Sequence, residues 1–310
     1  MQTLAILLAT YNGEKYLAEQ LDSLFAQSNA DWRLVIRDDG STDNTLDILQ
    51  AYQQHYPDRI QLLDSQRRNL GATACFGELL LHTAADTLMF CDQDDLWQPM
   101  KIERTLQRMK ALEEERGQQT PLLVHSDLRV MDRSLHIINS SFWHYEKLNA
   151  RRGDSLVNLV VQNVVTGCTM MINRALRDLA IPLPPQAILH DWWLALVAAA
   201  FGKIAAISEP LTDYRQHGRN EVGAKAWGVE YFLDRARNPR DVRRRLRATQ
   251  TQEGEFARRY HDRLPPRTYE ILWGYANLSQ RSFIARRAFL LRHGFLKSGL
   301  LRNLGLMLWI

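Results

Sequence analysis

The chain has 310 residues, of which 45% are hydrophobic and 24% charged, ordinary proportions for a globular protein with one large core and an appendage. No stretch reaches the roughly 18 uninterrupted apolar residues that a transmembrane helix needs. The net charge of +4 conceals a split: residues 1–230 hold 22 Lys+Arg against 29 Asp+Glu (−7), and residues 231–310 hold 17 against 6 (+11).

The apolar start, Met1–Ala9, has no basic leader and reads as a buried first strand rather than a secretory signal. Strands are then expected at Leu4–Ala9, Trp32–Arg37, Ile60–Leu63 and Thr87–Cys91. Helices are expected at Glu14–Gln27, Asp43–Tyr56, Ala72–Thr83 and Pro99–Glu115, the last with Pro99 in its first turn and Gln98 as cap. This alternation implies a mostly parallel sheet wrapped by helices, with ligands beyond the carboxyl ends of the strands. After residue 120 the pattern loosens. Leu122–His125 and Thr169–Ile172 read as strands, Asp191–Phe201 as a buried helix ended by Gly202, and Ile204–Ile207 with Leu211–Arg215 as a final strand pair. Cys75, Cys91 and Cys168 form no C-x-x-C pair and read as buried thiols of a cytosolic chain.

The polar clusters fall where such a sheet binds ligands. Asp92-Gln93-Asp94 follows a strand, and in extended backbone residues i and i+2 point the same way. Two carboxylates on one side suit a hard divalent cation, Mg²⁺ or Mn²⁺; the plainer alternative is a solvated acidic loop. In Asp38-Asp39-Gly40-Ser41-Thr42-Asp43, turn formation and capping explain Gly, Ser and Thr but not two successive acids. A carboxylate there suits a base N–H or a ribose hydroxyl. Thr10-Tyr11-Asn12-Gly13 is a turn, or the wall of the same pocket. His125-Ser126-Asp127 follows another strand and reads as part of an acceptor pocket.

Thr10-Tyr11-Asn12, the run 38–43, Asn69-Leu70-Gly71 and Asp92-Gln93-Asp94-Asp95, in this order and spacing, resemble the signature of family 2 GT-A glycosyltransferases over about residues 1–220. The resemblance implies an inverting transferase with a Rossmann-like α/β fold and a nucleotide-diphosphate sugar donor. The form Cys-Asp-Gln-Asp-Asp-Leu-Trp most resembles bacterial rhamnosyltransferases that use dTDP-rhamnose. By position, the resemblance gives Asp39 and Thr10 to the base, Asp92 to the ribose and Asp94 to the metal. Tyr11, Asn12, Asp38, Arg68, Asn69, Gln93 and Arg215 are the further donor contacts expected. It gives Asp191 the role of general base, a role that a helix N-terminus supports by favouring the ionised form; the bland reading is an N-cap. It also makes His217 a metal ligand, and sets Thr166, Gly167 and Cys168, with Trp192, beside the acceptor. Trp192 and Trp193 are otherwise core residues.

Residues 281–310 interleave Arg286, Arg287, Arg292, Lys297 and Arg302 with apolar side chains at helical spacing. That suits helices lying on an anionic membrane; packing on the catalytic domain or an oligomer contact is the alternative. Nothing there matches a nucleic-acid module. The division expected is a GT-A catalytic domain, 1–225, and a basic helical region, 226–310. The chain would sit on the inner face of the plasma membrane and extend a lipid-linked or polysaccharide acceptor. The competing functions are a sugar nucleotidyltransferase, which would want a Gly-rich basic phosphate loop near the first strand, and an inactive nucleotide-sugar-binding protein.

Overall fold

The computed structural model describes residues 3–64, 69–150, 153–218 and 239–310. Two compact units emerge. The first comprises Met1–Phe142, Val165–Leu183 and Leu189–Ala224, and the second Trp143–Val164, Pro184–Ile188 and Lys225–Ile310.

The first unit is an α/β sheet flanked by helices. In chain order it contains β1 (Leu4–Thr10), α1 (Leu17–Phe25), β2 (Arg33–Asp38), α2 (Thr45–His55), β3 (Ile60–Leu62), α3 (Ala72–His82) and β4 (Thr87–Cys91). These are followed by β5 (Leu96–Trp97), α4 (Lys101–Arg116), β6 (Leu122–Met131) and β7 (Ile137–Asn139). Among the described residues the sheet has nine strands, ordered β3-β2-β1-β4-β8-β6-β9-β5 with β7 beside β6; β8 is Met170–Asn173 and β9 is Lys203–Arg215. Six strands, β1 to β4 with β6 and β9, run one way, and β5, β7 and β8 run the other.

The run Leu4–Ala9 is continuously apolar because both faces of β1 are covered. Ile6 and Leu8 join Leu34, Ile36, Met89, the α1 residues Leu17 and Leu21, and Ile102 and Met109 of α4 in one core. Each fully buried Leu or Ile stabilises the fold by about 1.5–3 kcal/mol. On the opposite face Phe90 meets Phe76 of α3 with ring centroids 5.6 Å apart.

Three expectations change. Helix α4 starts at Lys101 with Met100 as its N-cap, so Gln98 is not the side-chain cap; its carbonyl instead accepts the Lys101 N–H. The expected strand pair after residue 203 is one strand. Ser126 pairs with Ile207 but Asp127 with Pro210, so β9 absorbs two extra residues as a bulge and keeps its direction along β6. The strands Leu96–Trp97 and Ile137–Asn139 were not expected. Cys75, Cys91 and Cys168 are buried free thiols.

Toward the end of the first unit lie α7 (Arg174–Ala180) and α8 (His190–Phe201), preceded in the second unit by α5 (Phe142–Tyr145, whose first residue belongs to the first unit) and α6 (Leu156–Val161). The second unit ends in α9 (Pro239–Arg259), α10 (Pro266–Ala276), α11 (Phe283–His293) and α12 (Leu300–Trp309). Its core contains Phe256, Leu272, Tyr275, Leu290, Phe295 and Leu306. Tyr275 stacks on Phe295 at 4.9 Å and shares a 2.8 Å hydrogen bond with the Thr249 hydroxyl. No described helix is long and apolar enough to cross a membrane.

Candidate active site

Strands β2, β1 and β4 lie side by side in parallel, so their carboxyl ends carry residues 38–43, 10–13 and 92–95 to one edge of the sheet. Asp38 is buried at the end of β2. It accepts hydrogen bonds from the Thr10 hydroxyl (2.8 Å), the Ser41 hydroxyl (2.6 Å) and the backbone N–H groups of Gly40 (3.0 Å) and Ser41 (2.8 Å). Its carboxylate thus moulds the 38–43 turn. Asp39 accepts from Arg37 (3.0 Å) and from the N–H groups of Leu70 (2.9 Å) and Gly71 (2.8 Å), while its carbonyl accepts the Asn69 N–H. Burial pushes its pKa up, but the bonds from Leu70, Arg37 and Gly71 together outweigh this and hold it below the usual carboxylate value. Asn69, at φ +58°, makes the left-handed bend that aims this backbone.

Beside this turn, Asn12 donates its N–H to the Ser41 hydroxyl and accepts the Thr42 N–H, both at 2.8 Å. The Gln93 amide bonds both backbone groups of Tyr11, accepting its N–H at 2.8 Å and donating to its carbonyl at 3.0 Å. That bridge stitches the ends of β1 and β4. A Cβ on Gly13 would fall 2.4 Å from the Gln93 amide oxygen, so a larger residue there would displace the Gln93 amide from this bridge. The Tyr11 ring, next to the bridge, is half exposed.

The box 92–95 is held differently. Asp94 meets His217 at 2.7 Å, and the His217 ring stacks on Tyr16 with centroids 5.0 Å apart. Arg215 is buried; it donates to the Asp94 carbonyl (3.1 Å) and to Glu19 (2.5 Å) and lies over the Tyr16 ring. It braces the box from within. Asp95 is fully buried, and burial, reinforced by Asp94 and Asp92, pushes its carboxyl well above the usual range. Asp92 and Asp94, both partly exposed, thus crowd the buried Asp95. Below them Lys101, fully buried, donates to the Cys168 carbonyl (2.5 Å) and the Thr212 hydroxyl (2.8 Å), and burial lowers its pKa to about 8.

Among the described residues, Asp92, Asp95 and Cys168 place one potential ligand atom each within 4.8 Å of one another. The carboxylates suit a hard cation. The Cys168 thiol does not, since burial raises its pKa well above normal and keeps it protonated. Of the two metal ligands expected from the sequence, Asp94 and His217, the structure shows the pair in direct contact at 2.7 Å.

Asp191 stands in the first turn of α8, one residue after His190 and two after the N-cap Leu189, so it is not itself the cap. Its carboxylate accepts the Gly167 N–H at 2.9 Å. A Cβ on Gly167 would come within 2.8 Å of the His190 ring, which packs against Phe76 and Phe90. Burial lowers the His190 pKa to about 3, so that imidazole is neutral. The turn Gly167–Thr169 is the link that matters most. Gly167 binds Asp191, and the neighbouring Cys168 sits against Asp92 and Asp95. One three-residue turn joins the two acidic elements.

The structure thus gathers Thr10, Tyr11, Asn12, Asp38, Asp39, Asn69, Asp92, Gln93, Asp94, Gly167, Cys168, Asp191, Arg215 and His217 around one sheet edge. Cys168 is fully buried, Thr166 and Trp192 are partly exposed, and Trp193 is a core residue. Arg68 lies outside the described residues. His125 and Asp127 are buried in β6, where Asp127 accepts from the Ser141 hydroxyl at 2.5 Å. Sequence reasoning missed Lys101, Arg37, Tyr16 and Glu19, and gave Asp95, named in the box, no role of its own. Arg37, a charge inside an apolar strand, was the one available signal.

The family profile "Glycosyl transferase family 2" matches residues 5–180. The chain is 29% identical over 233 residues to the dTDP-rhamnosyl transferase RfbG of Shigella flexneri, covering 70% of this chain and 74% of that protein. The chain spans between 36% and 82% of the curated relatives' own lengths, 66% and 74% in two cases. The fold is similar to S. aureus TarS 1-349 in complex with UDP-GlcNAc (TM-score 0.58, 18% identity, 88% of this chain and 71% of that one). It is also similar to the mannosyltransferase PcManGT from Pyrobaculum calidifontis in complex with GDP-Man and Mn²⁺ (TM-score 0.56, 17% identity, 99% and 79%).

Proposed function

The chain belongs to glycosyl transferase family 2 and is a glycosyltransferase; from that premise we propose that it moves a sugar, with inversion, from a nucleoside-diphosphate donor to a growing lipid-linked cell-surface polysaccharide. The observation that carries this reading is the Gly167–Thr169 turn, which ties Asp191 to the acids of the 92–95 box. A proton acceptor and a cluster of carboxylates are thereby held in one place by backbone.

In this reading the nucleoside lies along the ends of β1 and β2. Asp38 and Asp39 shape its pocket wall more than they contact it, because their oxygens already accept several hydrogen bonds. Thr10, Tyr11, Asn12, Asn69 and Gln93 complete that wall, and Asp92 receives the ribose. Asp94, with Asp92 and His217, would hold Mn²⁺ or Mg²⁺; a divalent cation supplies charge neutralisation for the departing diphosphate. Arg215 keeps the Asp94 backbone in place. Asp191 takes the proton of the acceptor hydroxyl as that oxygen attacks the anomeric carbon. Its Gly167 bond and the N-terminal end of α8 orient the carboxylate and favour its charge. The displacement is a single step through an oxocarbenium-like state. Thr166, Gly167 and Trp192 border the acceptor.

For the donor we propose dTDP-rhamnose, supported by the Cys-Asp-Gln-Asp-Asp-Leu-Trp box and by the likeness to RfbG. Residues 1–225 form the catalytic part, and 226–310 the part that rests on the cytoplasmic face of the plasma membrane. The test is a donor panel: purified protein, Mn²⁺ or Mg²⁺, several nucleotide sugars and a lipid-linked acceptor, with nucleotide release as readout. Release with dTDP-rhamnose, stimulated by metal, is expected. Saturable nucleotide binding with no turnover on any donor would instead mark a binding protein.

A further inference from the structure

Helices normally bury their apolar face. Helix α12 buries one apolar side and leaves a second one exposed. Leu300, Leu304 and Leu308, four residues apart and so on one side, are 76%, 57% and 67% exposed, with Leu301 beside them. The opposite side carries Arg302, Leu306 and Ile310, all buried. The Arg302 guanidinium is consumed internally by the carbonyls of Lys147 (3.1 Å), Glu146 (2.5 Å) and Ser298 (3.3 Å). Helix α11 behaves in the same way, with Phe283, Ile284 and Leu291 at 66%, 77% and 63% exposure. The two apolar stripes adjoin. Arg287 lies 3.3 Å over the Phe283 ring and reaches the Leu308 carbonyl at 3.4 Å.

The charge carried by residues 281–310 has one sign: no Asp or Glu follows Glu270, while Arg281, Arg286, Arg287, Arg292 and Lys297 do, besides the internally used Arg302. We infer that the exposed faces of α11 and α12 form one docking surface for an anionic lipid bilayer. The leucines and Phe283 enter the acyl boundary, and the arginines meet phosphate headgroups. A second copy of the chain fits less well, because a two-fold contact would press the arginines of one copy on those of the other. The inference gives the membrane location proposed above its partner surface, and rests on that reading only for the side of the membrane.

Flotation of the 310-residue chain with vesicles tests it. Pure phosphatidylcholine is compared with phosphatidylcholine containing about 30 mol% phosphatidylglycerol. The chain should float with the anionic vesicles about tenfold more than with the neutral ones. Ile284→Glu with Leu304→Glu should cut flotation about tenfold or more, and Arg292→Glu should cut it several-fold. All three side chains are exposed, and an unchanged thermal melt shows that the variants fold. The inference is overturned if wild type fails to float, or if the double variant floats as well as wild type. It is equally overturned if light scattering finds a dimer that the double variant splits without any vesicle binding. Metal-stimulated nucleotide release in vesicle-free buffer is read on the same samples. Its absence counts against the transferase, whereas its persistence in the variants confines the result to docking.

Discussion

The acids at the ends of β2 and β4 look alike in sequence, two strand ends separated only by β1, and the fold treats them oppositely. Asp38 and Asp39 accept hydrogen bonds from Gly40, Ser41, Leu70, Gly71, Arg37 and two hydroxyls. Their charge is spent on holding two loops. Asp92, Asp94 and Asp95 crowd together instead, and the buried Asp95 carboxyl is pushed well up by that burial and by its acidic neighbours. Acids after a strand therefore meet two different settings: at 38–39 backbone N–H groups from two loops surround them, whereas at 92–95 Asp94 meets His217 and Asp95 meets the Arg215 N–H and its own acidic neighbours.

The largest effect expected is at Asp191, which the Gly167–Thr169 turn links to the second cluster. Asp191→Asn should lower kcat by roughly 10³-fold with donor affinity unchanged, as measured by single-turnover kinetics beside a binding titration. Turnover within tenfold of wild type would remove Asp191 from the mechanism. Asp94→Ala should lower kcat/KM by about 10²-fold while the melting temperature stays near wild type, since the change relieves crowding. A fall in stability without a fall in activity would make the second cluster a clamp like the first. Asp38→Ala should do the opposite and destabilise the chain by about 2 kcal/mol, because the Gly40 and Ser41 N–H groups lose their acceptor. Urea titration measures this, and a neutral result would contradict the clamp.

Glu253 of α9 is a third carboxylate with neither remedy. It is fully buried, no donor from the described residues reaches either oxygen, and burial raises its pKa from 4.5 to about 8. Between those values the folded chain keeps a proton that the unfolded chain has released. Stability is therefore fully present below pH 4.5 and falls as pH rises toward 8, by at most about 1.4 kcal/mol per unit. Glu253→Gln should flatten that slope in urea melts at pH 5, 6, 7 and 8; an unaltered slope would place the titrating group elsewhere.

Much of the α/β framework was legible because β1 and β4 are covered on both faces and so read as unbroken apolar runs, with Thr87–Cys91 met residue for residue. Leu96–Trp97 is too short to show a period, and the bulge at Ser208–Glu209 looks in sequence like a turn between two strands. The acids were legible as clusters, but their opposite environments were not, since these depend on donors 30 residues away at Leu70–Gly71. Lys101 was invisible because a lysine in a helix reads as solvated, and its partners Cys168 and Thr212 are distant in the chain. In α12 the leucine spacing announced an amphipathic helix, but only the exposure of Leu300, Leu304 and Leu308 opposite the buried Arg302 shows which stripe faces out.

Binding of Mn²⁺ in the presence of a nucleoside diphosphate, followed by electron paramagnetic resonance, separates the two acidic strand ends most directly. The account predicts that wild type and a folded Asp38→Asn variant bind the ion alike, and that Asp94→Ala loses it. Retained Mn²⁺ in Asp94→Ala, or equal loss in both variants, would contradict it.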